Sequence, residues 1–264
     1  PAYGANLDFF LPDTNAKEIS IVIQDMNSNE IRKLTPRKTT KGVNRIMWDL
    51  RYERTETPKL RVNPRGVDWV TYKKEGWRPL RTWDIDINSG KLGPKAVPGK
   101  YKAILNVDNK TFSRIFTVLK DPNTTGTTKD IFAQFQFLIT LRETINEDVA
   151  LINKIEVLRY SLQNDYNSRD EEKIARDMDE RLYKIESHLF DIKLTGARED
   201  AFRNPNKIYG RLAALGSDLT RYGADFGPTN QQIEVHKVIS DRLERQQLAF
   251  ELLMKDDFWD SEKG

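Results

Sequence analysis

No cysteine occurs anywhere in the 264 residues. That excludes disulfides, thiolate metal sites and a cysteine nucleophile. It does not fix the compartment, because many bacterial envelope and secreted proteins avoid the residue. Histidine is almost as scarce: His188 and His236 are the only two. Both fall in stretches of helical periodicity. Neither has a carboxylate at the Glu-x-x-His spacing that metal sites inside helical bundles use, so both read as structural or solvent-facing, and no metal ligand is assigned. A Gly-x-Ser-x-Gly elbow and a glycine-rich phosphate loop are also missing, which removes the signatures of serine hydrolases and nucleotide binders. No apolar run approaches the roughly 20 residues that span a bilayer, so membrane insertion is not expected. The chain opens on Pro1 without a visible signal peptide, and the expectation is a piece of something longer.

What is present is enough to build cores: 38% of residues are hydrophobic and 31% are charged. The net charge of +3 hides an asymmetry. Residues 1–120 carry 23 Lys and Arg against 13 Asp and Glu, whereas residues 121–264 carry 20 against 27. The change of sign coincides with a change of pattern. It predicts two domains, 1–120 and 121–264.

The first half alternates with period two, the signature of half-buried strands. Leu7, Phe9 and Leu11 share one face, as do Ile19, Ile21 and Ile23, and then Ile46, Trp48 and Leu50. Tyr101, Ala103, Leu105 and Val107 lead into Asp108-Asn109, two residues that tolerate positive φ and suit a tight hairpin. Phe112, Arg114, Phe116 and Val118 form the return strand. About six short strands with frequent turns predict a β-sandwich, with Trp48, Tyr101 and Phe116 in its core.

The second half changes to helical spacing. Thr127 or Thr128 caps a helix running to about Leu162, with Asp130 at its positive end. A second helix is predicted over about 170–193, with Ile174, Met178, Leu182, Ile185 and Leu189 inward. A third uses Ile208, Leu212, Leu215 and Leu219. Asp225-Phe226-Gly227-Pro228-Thr229 breaks the chain, and Thr229 with Gln232 forms a capping box for a last helix. Its expected apolar stripe includes Ile233, Val235, Val238, Ile239, Leu243 and Leu252. The fold class predicted is therefore multidomain, all-β plus all-α: an Ig-like β-sandwich followed by an antiparallel four-helix bundle.

Residues 52–96 are too long for a simple connection between strands. They read as an insertion holding Trp69, Tyr72, Trp77, Arg78, Arg81 and Trp83. Aromatic and arginine side chains on a loop point to an interface, although the same side chains can instead pack within the protein. Asp84, Asp86 and Asn88 superficially resemble a calcium loop, but its twelfth position is Lys95 where a glutamate is required. The alternation of Trp83, Ile85 and Ile87 favours a strand there. Asp25, Asn27 and Asn29 fail the same test, with Pro36 at position twelve, and read as a hairpin turn. The acids of the second half alternate with Lys and Arg as on a solvated helix face. No catalytic residue and no cofactor is assigned.

Five segments together resemble the Ig-like repeat of the flagellar hook-capping family. They are Phe9-Phe10-Leu11-Pro12, Ile19-Ser20-Ile21-Val22-Ile23-Gln24-Asp25, Glu30-Ile31-Arg32-Lys33-Leu34, the strand Gly42–Arg51 with its Trp48-Asp49 pair, and Val97-Pro98-Gly99-Lys100-Tyr101. Among relatives of that repeat, the arrangement is most similar to the C-terminal region of bacterial sortilin-like, BNR-repeat propeller proteins labelled glycosyl hydrolases. The likeness extends over nearly the whole chain, through motifs that are structural. It implies a non-catalytic structural or interaction module of a larger secreted, periplasmic or cell-surface protein, with any hydrolase chemistry on a separate β-propeller. The implied partner is that propeller or another envelope protein, and not nucleic acid. The alternative is a carbohydrate-binding accessory module whose exposed tryptophans stack on a glycan.

Overall fold

The computed structural model describes residues 4–80, 93–195, 205–220 and 225–261. In chain order the strands are β1 (Ala5–Leu11), β2 (Ile19–Gln24), β3 (Glu30–Leu34), β4 (Gly42–Trp48), β5 (Lys59–Leu60), β6 (Arg78–Pro79), β7 (Gly99–Val107) and β8 (Lys110–Val118). The helices are α1 (Thr128–Asn164), α2 (Arg169–Leu189), α3 (Ile208–Thr220) and α4 (Asn230–Ser261). Antiparallel sheets and four helices make this an α+β fold among the described residues.

Two compact units emerge. The first comprises Pro1–Arg54, Leu92–Ile139 and Gly223–Gly227; the second comprises Thr55–Lys91, Thr140–Tyr222 and Pro228–Gly264. This division runs differently from a single cut near residue 121. The aromatic segment 55–91 groups with the helical residues, and α1 contributes to both units.

In the first unit β1 pairs with β4, Ala5 opposite Trp48 and Leu11 opposite Gly42. The other sheet has the order β3–β2–β7–β8, antiparallel throughout. Its turns follow from side-chain chemistry. The Asp25 carboxylate accepts the N–H groups of Asn27 and Asn29, both at 2.9 Å, while Ser28 takes φ 70°. At the β7–β8 hairpin Asp108 takes φ 49°, with Val107 opposite Lys110. Gly4 has φ +150°, and a Cβ there would overlap the carbonyl oxygen of Trp48, so this close approach requires glycine.

Trp48 is fully buried in a cluster that takes Phe9 and Leu11 from one sheet and Ile21, Ile23 and Tyr101 from the other. Its ring meets Tyr101 at 5.7 Å and Phe116 at 5.9 Å, both edge-on, the geometry that aromatic quadrupoles favour. The indole N–H donates to the Arg51 carbonyl at 2.9 Å. Tyr101 is buried and Phe116 half-buried, so the three expected core aromatics do pack together.

In the second unit β5 and β6 form a short ribbon, Leu60 opposite Arg78. Ser168 caps α2 through the Glu171 N–H. Thr229 and Gln232 bond reciprocally, at 2.9 and 3.2 Å, at the start of α4. Helix α2 ends at Leu189, short of Lys193, because Phe190 turns extended and caps it. Four of the apolar residues expected inside α4 (Ile233, Val235, Val238 and Leu252) are exposed, and so is Ile174 on α2. Leu182, Ile185 and Leu189 are buried on α2 as expected and Met178 is half-buried, while Ala175 takes the inward place expected of Ile174. Ile239 and Leu243 carry the burial on α4.

Candidate interaction site

Three successive contacts bind residues 55–80 to one face of α1. Asn146 accepts the Glu56 N–H and Asn153 the Lys59 N–H, each at 2.8 Å. Glu156 accepts the N–H groups of both Arg61 and Val62, the latter at 2.8 Å. Positions 146, 153 and 156 recur at seven and three, so they share a helix face. Leu60, Val62 and Leu80 are buried. This segment is a strap on the helices.

Its side chains follow suit. Arg78 is buried and donates to the carbonyls of Leu194, at 2.9 Å, and Val62. A buried guanidinium saturating backbone acceptors holds structure together and cannot meet a partner. Tyr72 is half-buried and donates to Asn63 at 2.6 Å. The Trp77 ring carries the Lys73 ammonium at 3.9 Å and Lys59 at 5.9 Å from its centroid. Arg65 lies over the Tyr183 ring at 3.5 Å and pairs with Glu180. Trp69 is 67% exposed. Arg81 and Trp83 lie outside the described residues, as do Asp84, Ile85, Asp86, Ile87 and Asn88.

Beneath the strap is a polar network that the sequence reading missed. Arg159 pairs with Glu186 at 2.5 Å and Asp179 at 2.8 Å, and both it and Glu186 are buried. Burial pushes the Glu186 carboxyl well above the usual carboxylate range, with the Glu156 charge adding to the rise. Burial likewise raises Glu156, against the opposing pull of the Arg61 and Val62 N–H groups. Asp148 is also buried and raised by burial, and among the described residues neither of its oxygens has a hydrogen-bond partner. The signal was legible: Asp148, Glu156 and Arg159 fall on the same helical face as Ile145, Ile152 and Ile155. His236 is half-buried, within 3.0 Å of the Thr144 hydroxyl, and burial lowers its pKa.

The first unit presents the opposite case. A groove of about 1190 Å³ opens along β1 and the β7–β8 hairpin. Among the described residues β1 pairs with β4 alone and β8 with β7 alone, so each has a free edge. The positions of β8 that alternate toward the core side are Lys110, Phe112, Arg114 and Phe116. Phe112 is nonetheless 56% exposed. Phe10, at the β1 side of the groove, is 66% exposed on the face of β1 opposite the buried Phe9 and Leu11. The acids along the groove are already engaged: Asp8 with Arg45 through two contacts of 2.7 and 2.9 Å, Asp13 with the Asn15 N–H, and Asp108 with the Lys17 and Glu18 N–H groups. Lys110 and Arg114 form no ion pair among the described residues. The uncommitted charge of the groove is therefore positive.

No protein-family model, curated protein or solved structure matches this chain.

Proposed function

We propose that this chain is a non-catalytic interaction module: an immunoglobulin-like sandwich in the first unit, together with an antiparallel four-helix bundle, belonging to a larger secreted or envelope-associated β-propeller protein. The resemblance to the hook-capping repeat motivates the sandwich and the propeller. The observation that carries the interaction role is Phe112, an aromatic side chain on the core side of β8 that remains more than half exposed above a free strand edge. Apolar surface of this kind, set in a groove on a well-packed scaffold, marks a contact site. The contact surface of the module is thus this groove, and the aromatic strap of residues 55–80 serves the helices.

The test is association of the chain with the propeller portion of its parent, produced as a separate polypeptide and measured by interferometry. Saturable binding that Phe112→Glu abolishes is expected. A parent without a propeller, or a propeller that ignores the chain, overturns the reading. The exposed Trp69 indole favours a second one, a carbohydrate-binding accessory module, since an uncovered indole face stacks on sugar rings. In that case polysaccharide would quench fluorescence saturably and Trp69→Ala would remove the response.

A further inference from the structure

The groove of the first unit has the shape of a sandwich lacking one strand. Among the described residues the β1–β4 sheet has two strands where the facing sheet has four, and the uncovered part of the larger sheet is β8. A strand added to the free edge of β1 would lie above the core-side residues of β8 and cover Phe112 and Phe116.

The chemistry of that wall specifies the occupant. Along β8 the core-side positions read Lys110, Phe112, Arg114, Phe116, a cation and an aromatic in alternation. In an extended chain only every second residue faces the wall. A matching strand therefore places acid and apolar residues in turn on its inward face, which gives a four-residue period. Because the acids of the groove are bonded already, Lys110 and Arg114 await charge from outside.

Resting on the interaction-module reading, we propose that the groove binds an extended segment of another polypeptide by strand addition to β1, the segment carrying acidic and apolar residues alternately on its inward face. An inward-pointing charge also guards an exposed edge against indiscriminate pairing. Here the two roles coincide, because a purely apolar strand would strand Arg114 against it and be rejected. A second copy of this chain is a poorer occupant: full antiparallel pairing of two β8 strands sets Arg114 opposite Arg114, and like charges across a pair destabilise it.

The test uses a fluorescein-labelled nonapeptide in which threonine alternates with glutamate and valine in turn, a counterpart with lysine for glutamate, and a scrambled peptide of the acidic composition. Fluorescence anisotropy with the whole chain should show saturable binding of the acidic peptide, about tenfold or more tighter than the lysine peptide, a difference of about 1.4 kcal/mol. The double variant Lys110→Glu, Arg114→Glu should reverse the preference, and both positions are exposed, so folding is not at risk. Hydrogen exchange should slow at the β1 amides that do not face β4. Equal binding of acidic and scrambled peptides, an unreversed preference, or protection elsewhere would overturn the proposal. So would a dimer in solution that Arg114→Glu dissociates. Silence of every peptide while the propeller still binds in a Phe112-dependent way removes the strand and leaves the module; silence of both removes both.

Discussion

Trp48 shows how much one residue can hold. Its indole touches aromatic rings on two further strands, and its N–H caps the chain where it leaves β4. Trp48→Ala removes that volume from a site with no solvent to fill it, so a loss of about 3–5 kcal/mol is expected, read as a fall in the urea midpoint; a change below about 1 kcal/mol would mean the cluster rearranges around the gap. Position 48 was legible from alternation alone, because Ile46, Trp48 and Leu50 share a face whatever the sheet does. The Glu156–Glu186–Arg159 network was legible only in part: Glu156 and Arg159 share the helical face of Ile152 and Ile155, but alternating charges on a helix look the same whether solvated or buried until a second segment is laid across them. That network has a pH consequence. Both glutamates hold their protons above the usual carboxylate range when folded, whereas in the unfolded chain they ionise near pH ~4.3. Between that value and the raised folded one, the native state binds more protons, so stability falls as pH rises, by up to about 1.4 kcal/mol per pH unit for each proton retained. Glu156→Gln should flatten the slope of unfolding free energy against pH above pH ~4.5. Parallel slopes for variant and parent would show that Glu156 is ionised throughout.

At the scale of elements, helix ends were the most readable feature and helix faces the least. A cap is a local transaction between a hydroxyl or amide side chain and N–H groups three residues away, so Thr229 with Gln232, and Thr127 with Asp130, are written in the sequence and recur in the structure. Thr229→Ala should cost about 1 kcal/mol, and hydrogen exchange should localise the effect to the first turn of α4; exchange unchanged there would mean that packing alone fixes the turn. Faces depend on what lies opposite. Ile233, Val235 and Val238 fit an inward stripe by spacing, yet the described residues leave them exposed, and burial concentrates on Ile239 and Leu243. The same limit applies to β8, where the alternation of Phe112, Arg114, Phe116 and Val118 was visible from the start as a strand but carried no sign that its core side would stay open.

At the scale of the molecule the instructive segment is 55–91. Composition offered two readings, because tryptophan and arginine dominate both protein interfaces and tight internal packing. What separates them is the identity of the acceptors, and these lie far along the chain: Arg78 bonds the Leu194 carbonyl, and the Arg61 and Val62 N–H groups bond Glu156. The strap therefore satisfies a buried carboxylate, covers the helix face that Leu60, Val62 and Leu80 bury, and supplies the cation that stacks on Tyr183. Replacing residues 55–91 by a short glycine–serine linker should strip Glu156 of its two backbone donors and of its cover and expose the apolar stripe of α1, so the second unit should lose cooperative unfolding. The deletion also removes Trp69, Trp77 and Trp83, leaving Trp48 and Trp259 as the only tryptophans, which makes the first unit easy to follow by fluorescence. The expected result is a blue-shifted Trp48 emission with its own urea transition, alongside a marked drop in helical circular dichroism and rapid proteolysis within 140–261. A deletion variant that keeps the parent's helicity and a single cooperative transition would show the strap to be an ornament on an already stable set of helices, and would return its aromatic residues to the surface as candidates for contact.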